Sequence, residues 1–189
     1  MPGTSYRAVD SRSLILQGSP SSTLIENFSR DLVATDLVAS LTTAVMTSVA
    51  IPLQGGDVIT SLSFLSGATA GGTLTNEWVA LYSSAATPAL LGQSVTVTTA
   101  WAADTFKTFT LAAPIAITST GVYYAALMVA ATTVPTLMGR TTARAAVAGA
   151  LITGMPILSQ TSGSALAATA PGTIASPTTV ATIPYCVAQ

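Results

Sequence analysis

The sequence predicts an all-β fold, a jelly-roll-like antiparallel β-sandwich with an extended N-terminal arm. Three observations predict it. Short segments alternate apolar and polar residues with a period of two, as half-buried strands do. Gly- and Pro-containing turns separate these segments, which favours a sandwich over a parallel sheet with crossover helices. The length of 189 residues suits one such domain plus an arm. An immunoglobulin-like sandwich is the second choice, disfavoured because its Cys-Trp-Cys spacing is missing.

The first 36 residues form the predicted arm, and residues 37–189 form the predicted sandwich domain. Seven of the thirteen charged residues (six basic and seven acidic) lie in this arm, which Gly18-Ser19-Pro20 interrupts. Arms of this composition are ordered only when something holds them. The apolar triplet Leu14, Ile15 and Leu16 is the predicted anchor. Either a partner protein holds the arm, or the arm folds back on its own domain.

The clearest strand signals begin the domain. Residues 45–51 alternate in parity, and a Gly55-Gly56 turn, which tolerates the positive φ of a tight hairpin, follows them. A second strand is predicted over residues 58–65, with Val58, Leu62 and Phe64 on one face. The two segments therefore predict a β-hairpin.

Further strands are expected along the rest of the chain. Trp78 and Tyr82 have the same parity and share one sheet face, where they are interpreted as core residues. The signal weakens between residues 132 and 179, although residues 157–159 could pair, and an alanine-rich run at 142–148 favours a helix of two turns at most. The other predicted strands are residues 77–82, 89–94, 106–111, 115–117, 122–129 and 183–188.

Composition argues against an enzyme. The chain has no histidine and a single cysteine, Cys186, which removes imidazole acid–base chemistry, His-activated nucleophiles, thiolate metal clusters and internal disulfides. Glycan hydrolysis needs two facing carboxylates, and no pattern brings together any two of Asp57, Glu77 and Asp104. We therefore expect no catalytic residues, no metal and no cofactor.

Membrane insertion is not expected either. Residues 108–139 and 145–189 carry no charge, but Pro, Thr and Ser recur in them too often for about 20 consecutive apolar residues. The N-terminus lacks the basic-then-apolar order of a secretory signal. The sequence thus predicts a protein that is made and assembled in the cytoplasm.

Five blocks of the domain have a recognisable sequence: Ile51–Thr69, Thr75–Tyr82, Thr99–Thr105, Thr120–Tyr124 and Ile183–Tyr185. In this order they resemble a β-rich structural protein family of tailed phages that infect actinobacteria. That resemblance covers roughly residues 41–189, and the arm is outside it. It implies a virion component without catalytic residues: a minor tail, baseplate or fibre protein, or alternatively a capsid decoration protein.

Low charge points to assembly. Only 7% of the residues are charged, against about 25% in ordinary soluble domains, and 31 Thr and 20 Ser supply surface hydroxyls instead. Soluble sandwiches protect their edge strands with lysine, proline or charge, yet this chain has a single lysine, Lys107. We expect its faces to be covered by copies of itself or by other virion proteins, as a symmetric oligomer allows. Phage fibres and decoration knobs suggest a trimer by analogy.

A glycan contact is the main candidate binding site. An exposed Trp101 beside Asp104 could stack on a sugar ring and accept its hydroxyl protons, as a host cell-surface receptor module would require. The alternative, favoured by the usual burial of large aromatic residues, is that Trp101 plugs one end of the sandwich.

Three weaker candidates for a functional site remain. Asp57 and Glu77 are too few to form the clustered oxygen set that Ca²⁺ requires. Cys186 is interpreted as a small buried apolar residue. Arg140 and Arg144 are interpreted as a solvated or interface pair, and no basic patch predicts nucleic-acid binding.

Overall fold

Thirteen β-strands lie in the part of the chain that the computed structural model describes, residues 24–37, 41–142 and 155–189. The first seven are β1 (Ile25–Glu26), β2 (Thr35–Leu37), β3 (Met46–Leu53), β4 (Val58–Leu65), β5 (Gly72–Tyr82), β6 (Leu90–Gln93) and β7 (Phe106–Ala116). The others are β8 (Gly121–Thr133), β9 (Leu137–Thr141), β10 (Ser159–Ser162), β11 (Thr178–Thr179), β12 (Thr182–Pro184) and β13 (Cys186–Ala188). A three-residue 3-10 turn, Arg30–Leu32, separates β1 from β2. In these ranges, no helix is long and apolar enough to cross a membrane.

The strands form two main antiparallel sheets. The six-stranded sheet has the order β11-β10-β3-β8-β5-β6, and the four-stranded sheet has the order β1-β13-β4-β7. A small third sheet, β12-β9-β2, lies beside them. The predicted all-β, antiparallel sandwich is thereby confirmed, whereas the jelly-roll connectivity stays a prediction. The predicted hairpin is wrong, because β3 pairs with β8 and β10 whereas β4 pairs with β7 and β13, so the Gly55-Gly56 turn joins the two main sheets.

Both main sheets contribute to one apolar core. On β8, Tyr123, Ala125, Leu127 and Val129 belong to this core. The neighbouring strands add Val49, Ile51 and Leu53 from β3, and Val79 and Leu81 from β5. Leu62, Phe64, Phe109 and Leu111 come from the four-stranded sheet. Core residues recur at every second position because successive side chains of a strand point to opposite faces. For this reason the alternating segments of the sequence predicted strands.

A β-bulge changes the predicted face of β4. Ile59 pairs with Ile115 but Ser61 pairs with Thr110, so a single residue of β4 lies opposite four residues of β7. Because the irregularity shifts the parity, Ile59 joins Leu62 and Phe64 in the core, while Val58 is 55% exposed. The prediction that Val58 shares their face was wrong, since strict alternation does not survive a bulge.

A second apolar layer covers the outer face of the six-stranded sheet. Trp78 and Tyr82 share that face, as predicted, and both are fully buried. The irregular chain around residues 163–176 covers them: the Trp78 indole donates to the Ala167 carbonyl, and the Tyr82 hydroxyl donates to the Pro171 carbonyl, both at 2.7 Å. Ala170 and Ile174 pack in the same layer. The six-stranded sheet is therefore apolar on both faces.

The single strand predicted over residues 183–188 is two strands in two sheets. β12 pairs with β9 in the small sheet, and β13 pairs with β4 in the four-stranded sheet. Tyr185 lies between them, and its amide donates to the Met138 carbonyl. The crossing is tight because a Cβ at Gly139 would lie 2.3 Å from the Ile183 carbonyl oxygen. This close approach requires glycine at position 139.

The described end of the predicted arm lies on the domain. β1 pairs with β13, and β2 pairs with β9, so residues 24–37 fold back onto two of the sheets. Leu14, Ile15 and Leu16, the predicted anchor, lie outside the described residues. The predicted short helix at 142–148 also lies outside them, apart from residue 142.

Candidate functional site

Trp101 plugs the core rather than facing solvent. The indole is 1% exposed, packs edge-on against Phe109 at a centroid distance of 5.9 Å, and donates from Nε1 to the Thr105 carbonyl at 3.3 Å. Asp104 is exposed in the following turn, with a left-handed φ of 51°. With no ring face open, Trp101 does not offer the stacking surface that the glycan interpretation required.

A buried ion pair joins the two main sheets near Trp101. Glu77 on β5 is fully buried, and its Oε2 accepts a hydrogen bond from the Lys107 ammonium on β7. Lys107 also donates to the Thr99 carbonyl at 2.6 Å, and its Nζ lies 5.7 Å from the Trp101 ring centroid and 5.5 Å from that of Phe109. The single lysine of the chain is thus held inside the sandwich by a carboxylate, a carbonyl and two rings.

Burial dominates the chemistry of Glu77. Desolvation raises the pKa of its carboxyl above the ordinary value, and the hydrogen bond and charge of Lys107 act in the opposite direction. Its Oε1 has no hydrogen-bond partner. A carboxyl of raised pKa can serve as a general acid. However, the pair is sealed inside the core, and we assign it a structural role between the sheets.

The predicted carboxylates are not brought together as a cation site. Asp57 closes the β3–β4 turn, where its Oδ2 accepts from the Gln54 amide at 2.7 Å, while Glu77 pairs with Lys107 in the core. Within the described ranges, no group of three or more His, Cys, Asp or Glu residues is arranged to hold a metal ion.

The remaining candidates occupy ordinary structural positions. Cys186 is fully buried in the core, which raises the pKa of its thiol. The Arg140 guanidinium lies 5.1 Å from the centroid of the Phe28 ring, a cation–π contact that ties the folded-back segment to β9. Arg144 lies outside the described residues.

A groove of about 450 Å³ lies on the outer face of the four-stranded sheet. Its floor consists of side chains whose parity is opposite to that of the core residues, such as Ser63 and Leu65 on β4, and Phe106 and Thr108 on β7. The segment around β1 and the 3-10 turn forms one wall. Phe106 is 52% exposed although its ring packs edge-on against Tyr185 at 5.9 Å.

An ordered polar triad lies in this groove. The Tyr185 hydroxyl donates to Glu26 Oε1 at 2.5 Å, and the same oxygen is 4.0 Å from Arg30 Nε. Burial and, next to it, the Glu26 carboxylate raise the pKa of Tyr185, so this hydroxyl stays a donor. The Phe28 ring packs on the Tyr185 ring at 5.4 Å. Packing therefore fixes Tyr185, while the Arg30 side chain remains 67% exposed.

Hydroxyl and amide groups complete the groove. Ser63 Oγ and Thr108 Oγ1 share a hydrogen bond of 2.7 Å, and whichever oxygen accepts it keeps its own proton for another acceptor. Gln189 Oε1 accepts from Ser61 at 2.9 Å, a bond that leaves its amide nitrogen uninvolved. The groove thus combines an aromatic ring with donors and acceptors.

Sequence reasoning missed this site for a topological reason. Its residues come from β1, β4, β7 and the chain end, and only the sheet order brings them together. One usable signal was present, because Phe106, Thr108 and Thr110 alternate with Lys107, Phe109 and Leu111, which marks an aromatic residue on the solvent face of a strand.

Comparison with known proteins does not assign the chain to a family. No protein-family model matches the chain, and no curated protein is significantly similar to it.

Proposed function

We propose that this protein is a non-enzymatic structural subunit of a phage virion, a minor tail, baseplate or fibre protein that assembles as a symmetric oligomer and docks through its N-terminal arm. Capsid decoration is the alternative within the same class. The sequence blocks described above suggest the virion, and the distribution of charge on the folded domain supports assembly.

The charge distribution carries the proposal. The described residues include nine charged side chains, four in 24–37 and five in 41–142. Two of those five, Glu77 and Lys107, neutralise each other inside the core. The surface of residues 41–142 and 155–189 is left with Asp57, Asp104 and Arg140. A surface with so little charge of either sign favours association over solvation as a monomer.

One flank of the sandwich fits the role of a contact between copies. We call it the β6–β7 flank, made of residues 90–95 and 111–116, and it does not include the residues that line the groove. The chain after β6 contacts both main sheets, because Ser94 pairs with Leu111 of β7 and Val97 pairs with Glu77 of β5. The flank exposes Leu91 and Val95. It contains no charged residue, so no charge on the flank opposes contact with another copy.

The test of assembly is the mass of the purified chain in solution. Light scattering at micromolar concentration should give at least twice the monomer mass of 18.9 kDa, and a trimer is the expected state. Leu91→Lys combined with Val95→Lys should shift the mass toward the monomer. Met155→Lys is the matched control, because Met155 is 43% exposed against 42% for Leu91 and lies outside the flank. A stable wild-type monomer would contradict the proposal.

The virion assignment needs a separate test on particles. Antibodies against the purified chain should decorate phage particles that contain it, at the tail for the first interpretation and at the head for the alternative. Deleting residues 1–23, which stops before β1, should release the subunit from particles and leave the sandwich folded. Particles without any decoration would refute the virion assignment.

A further inference from the structure

We infer that the groove on the outer face of the four-stranded sheet binds a neutral oligosaccharide. Phe106 supplies the stacking surface, and Arg30 and Glu26 contact the sugar hydroxyls. The sequence suggested Trp101 as the solvent-facing aromatic residue of a glycan site. We assign that role instead to Phe106, at the start of β7. The inference is independent of whether the chain assembles into virions.

The size and the lining of the groove fit an oligosaccharide. A volume of about 450 Å³ lies within the usual range of about 300–1,000 Å³ for small-molecule sites, which are mainly apolar with a few oriented polar groups. Phe106, Leu65 and Val187 provide apolar surface, and Phe106 is the large aromatic residue with half of its area open. The C–H face of a sugar ring packs on such a surface, whereas its hydroxyls need polar partners.

The charge of the groove favours a neutral ligand. Glu26 and Arg30 are the charged residues in the described lining of the groove, and their charges cancel. A nucleic acid or a phosphorylated ligand would require a surplus of positive charge. A polyol needs a mixture of acceptors and donors without net charge. The carboxylate and the guanidinium offer both kinds within one contact, and the shared Ser63–Thr108 hydrogen bond offers a further hydroxyl proton.

The floor of the groove does not offer β4 for strand addition. β4 pairs with β13 on one side and with β7 on the other, so its backbone donors and acceptors are used within the sheet. Strand addition requires a free edge, and among the described strands of this sheet only β1 and β7 lie at an edge. Over β4 the groove therefore recognises its ligand through side chains.

The side chains of the groove are preorganised for binding. Tyr185 is 3% exposed, is packed between Phe28 and Phe106, and donates to Glu26. These contacts hold the Glu26 carboxylate and the Phe106 ring in place before a ligand arrives. A prearranged site avoids part of the entropic cost of binding.

Binding of the full-length chain to an array of neutral hexose, pentose and N-acetylhexosamine oligosaccharides tests the inference. At least one glycan should bind, and calorimetry with that glycan should show an affinity loss of tenfold or more for Phe106→Ala and of about fivefold for Arg30→Ala. Val58→Ala is the matched control, because Val58 is 55% exposed on the same sheet and does not line the groove. Its affinity should stay within twofold of wild type.

Three outcomes would overturn the inference: no neutral glycan binds, Phe106→Ala binds as well as wild type, or Phe106→Ala lowers the solution mass, which would make the groove an interface between copies. If Phe106→Ala fails to fold, the exposed Arg30→Ala variant decides the matter alone. Light scattering of the same samples separates the two proposals, since loss of glycan binding in an intact oligomer counts only against the groove.

Discussion

Two ion pairs of this protein each join a glutamate to a basic residue, but one is enclosed in the core and the other is open to solvent. Glu77 and Lys107 lie between the sheets, with side-chain exposures of 0% and 13%. Glu26 and Arg30 lie on the outer face of the four-stranded sheet, with exposures of 13% and 67%. The first pair is enclosed by Trp101 and Phe109, whereas the second opens into the groove.

The difference separates a structural role from a binding role. Only 7% of the residues are charged, so few side chains are available for either role. In the enclosed pair, the Lys107 protons are used by the Glu77 carboxylate and the Thr99 carbonyl, and Glu77 has no exposed surface to offer a ligand. The open pair keeps one member in water and can exchange that water for a ligand. The same substitutions should therefore change stability in the first pair and binding in the second.

The largest expected effect is that of Lys107→Met. Methionine can occupy the space beside Trp101 and Phe109, but it leaves the Glu77 carboxylate buried without its counter-ion. Breaking a buried pair from one side costs about 3–5 kcal/mol of unfolding free energy. Urea unfolding followed by the fluorescence of Trp78 and Trp101 measures it, at a fixed protein concentration because the oligomer contributes to stability.

The double variant Glu77→Leu with Lys107→Met is the control for that experiment. Replacing both charges with apolar residues removes the desolvation cost, so most of the lost stability should return. If the single variant loses under about 1 kcal/mol, or the double variant is as unstable as the single one, the pair is not sealed as described.

The unfolding free energy should also depend on pH through Glu77 of the buried pair. Desolvation raises the folded-state pKa of Glu77 above its unfolded value. The stability contribution of Glu77 is therefore complete below the unfolded pKa and is lost as pH rises toward the folded one. Urea unfolding of wild type and Glu77→Gln from pH 4 to 7 should show wild type losing stability relative to the variant. A constant difference would contradict the raised pKa.

Local patterns predicted the strands, and tertiary pairing determined what the patterns missed. β4 was predicted with its exact bounds, Val58–Leu65, because it alternates and follows a Gly-Gly turn. β9 was missed, since Leu137–Thr141 is short, contains Gly139 and is stabilised by partners distant in sequence. The chain around residues 163–176 carried no strand signal because it is irregular, and its role as a cover for Trp78 depends on the whole sheet.

The sites were less predictable than the fold. Tyr185 and Glu26 are 159 residues apart in the chain and meet because β1 and β13 are neighbours in the sheet. Sequence proximity selected Trp101 and Asp104 instead, and the sandwich buries the indole. Burial of one aromatic rather than another follows from register, because Phe106 and Phe109 lie on opposite faces of the same strand.

The hydroxyl of Tyr185 should contribute less than Lys107. Tyr185→Phe keeps the ring contacts with Phe28 and Phe106 and removes the hydrogen bond to the Glu26 carboxylate, at a cost of about 1.5–2 kcal/mol in unfolding free energy. Tyr123→Phe is the matched control, because Tyr123 is also buried but donates to the neutral Ser119 carbonyl, so about 1 kcal/mol is expected. Equal losses would mean that the charge of Glu26 does not strengthen its bond to Tyr185.

Arg30→Ala should have the smallest effect on stability. The guanidinium is 67% exposed and lies 4.0 Å from Glu26, and exposed ion pairs of this kind contribute about 0–1 kcal/mol. Urea unfolding at low and high salt should show a loss under about 0.5 kcal/mol, and that loss should shrink further in salt because ions screen exposed charges. A loss above about 1 kcal/mol at both salt concentrations would instead assign Arg30 to holding the folded-back segment. The contrast with Lys107 would then fail, because both cations would be structural. A small stability effect together with weakened glycan binding is the combination that only an open, ligand-facing Arg30 produces.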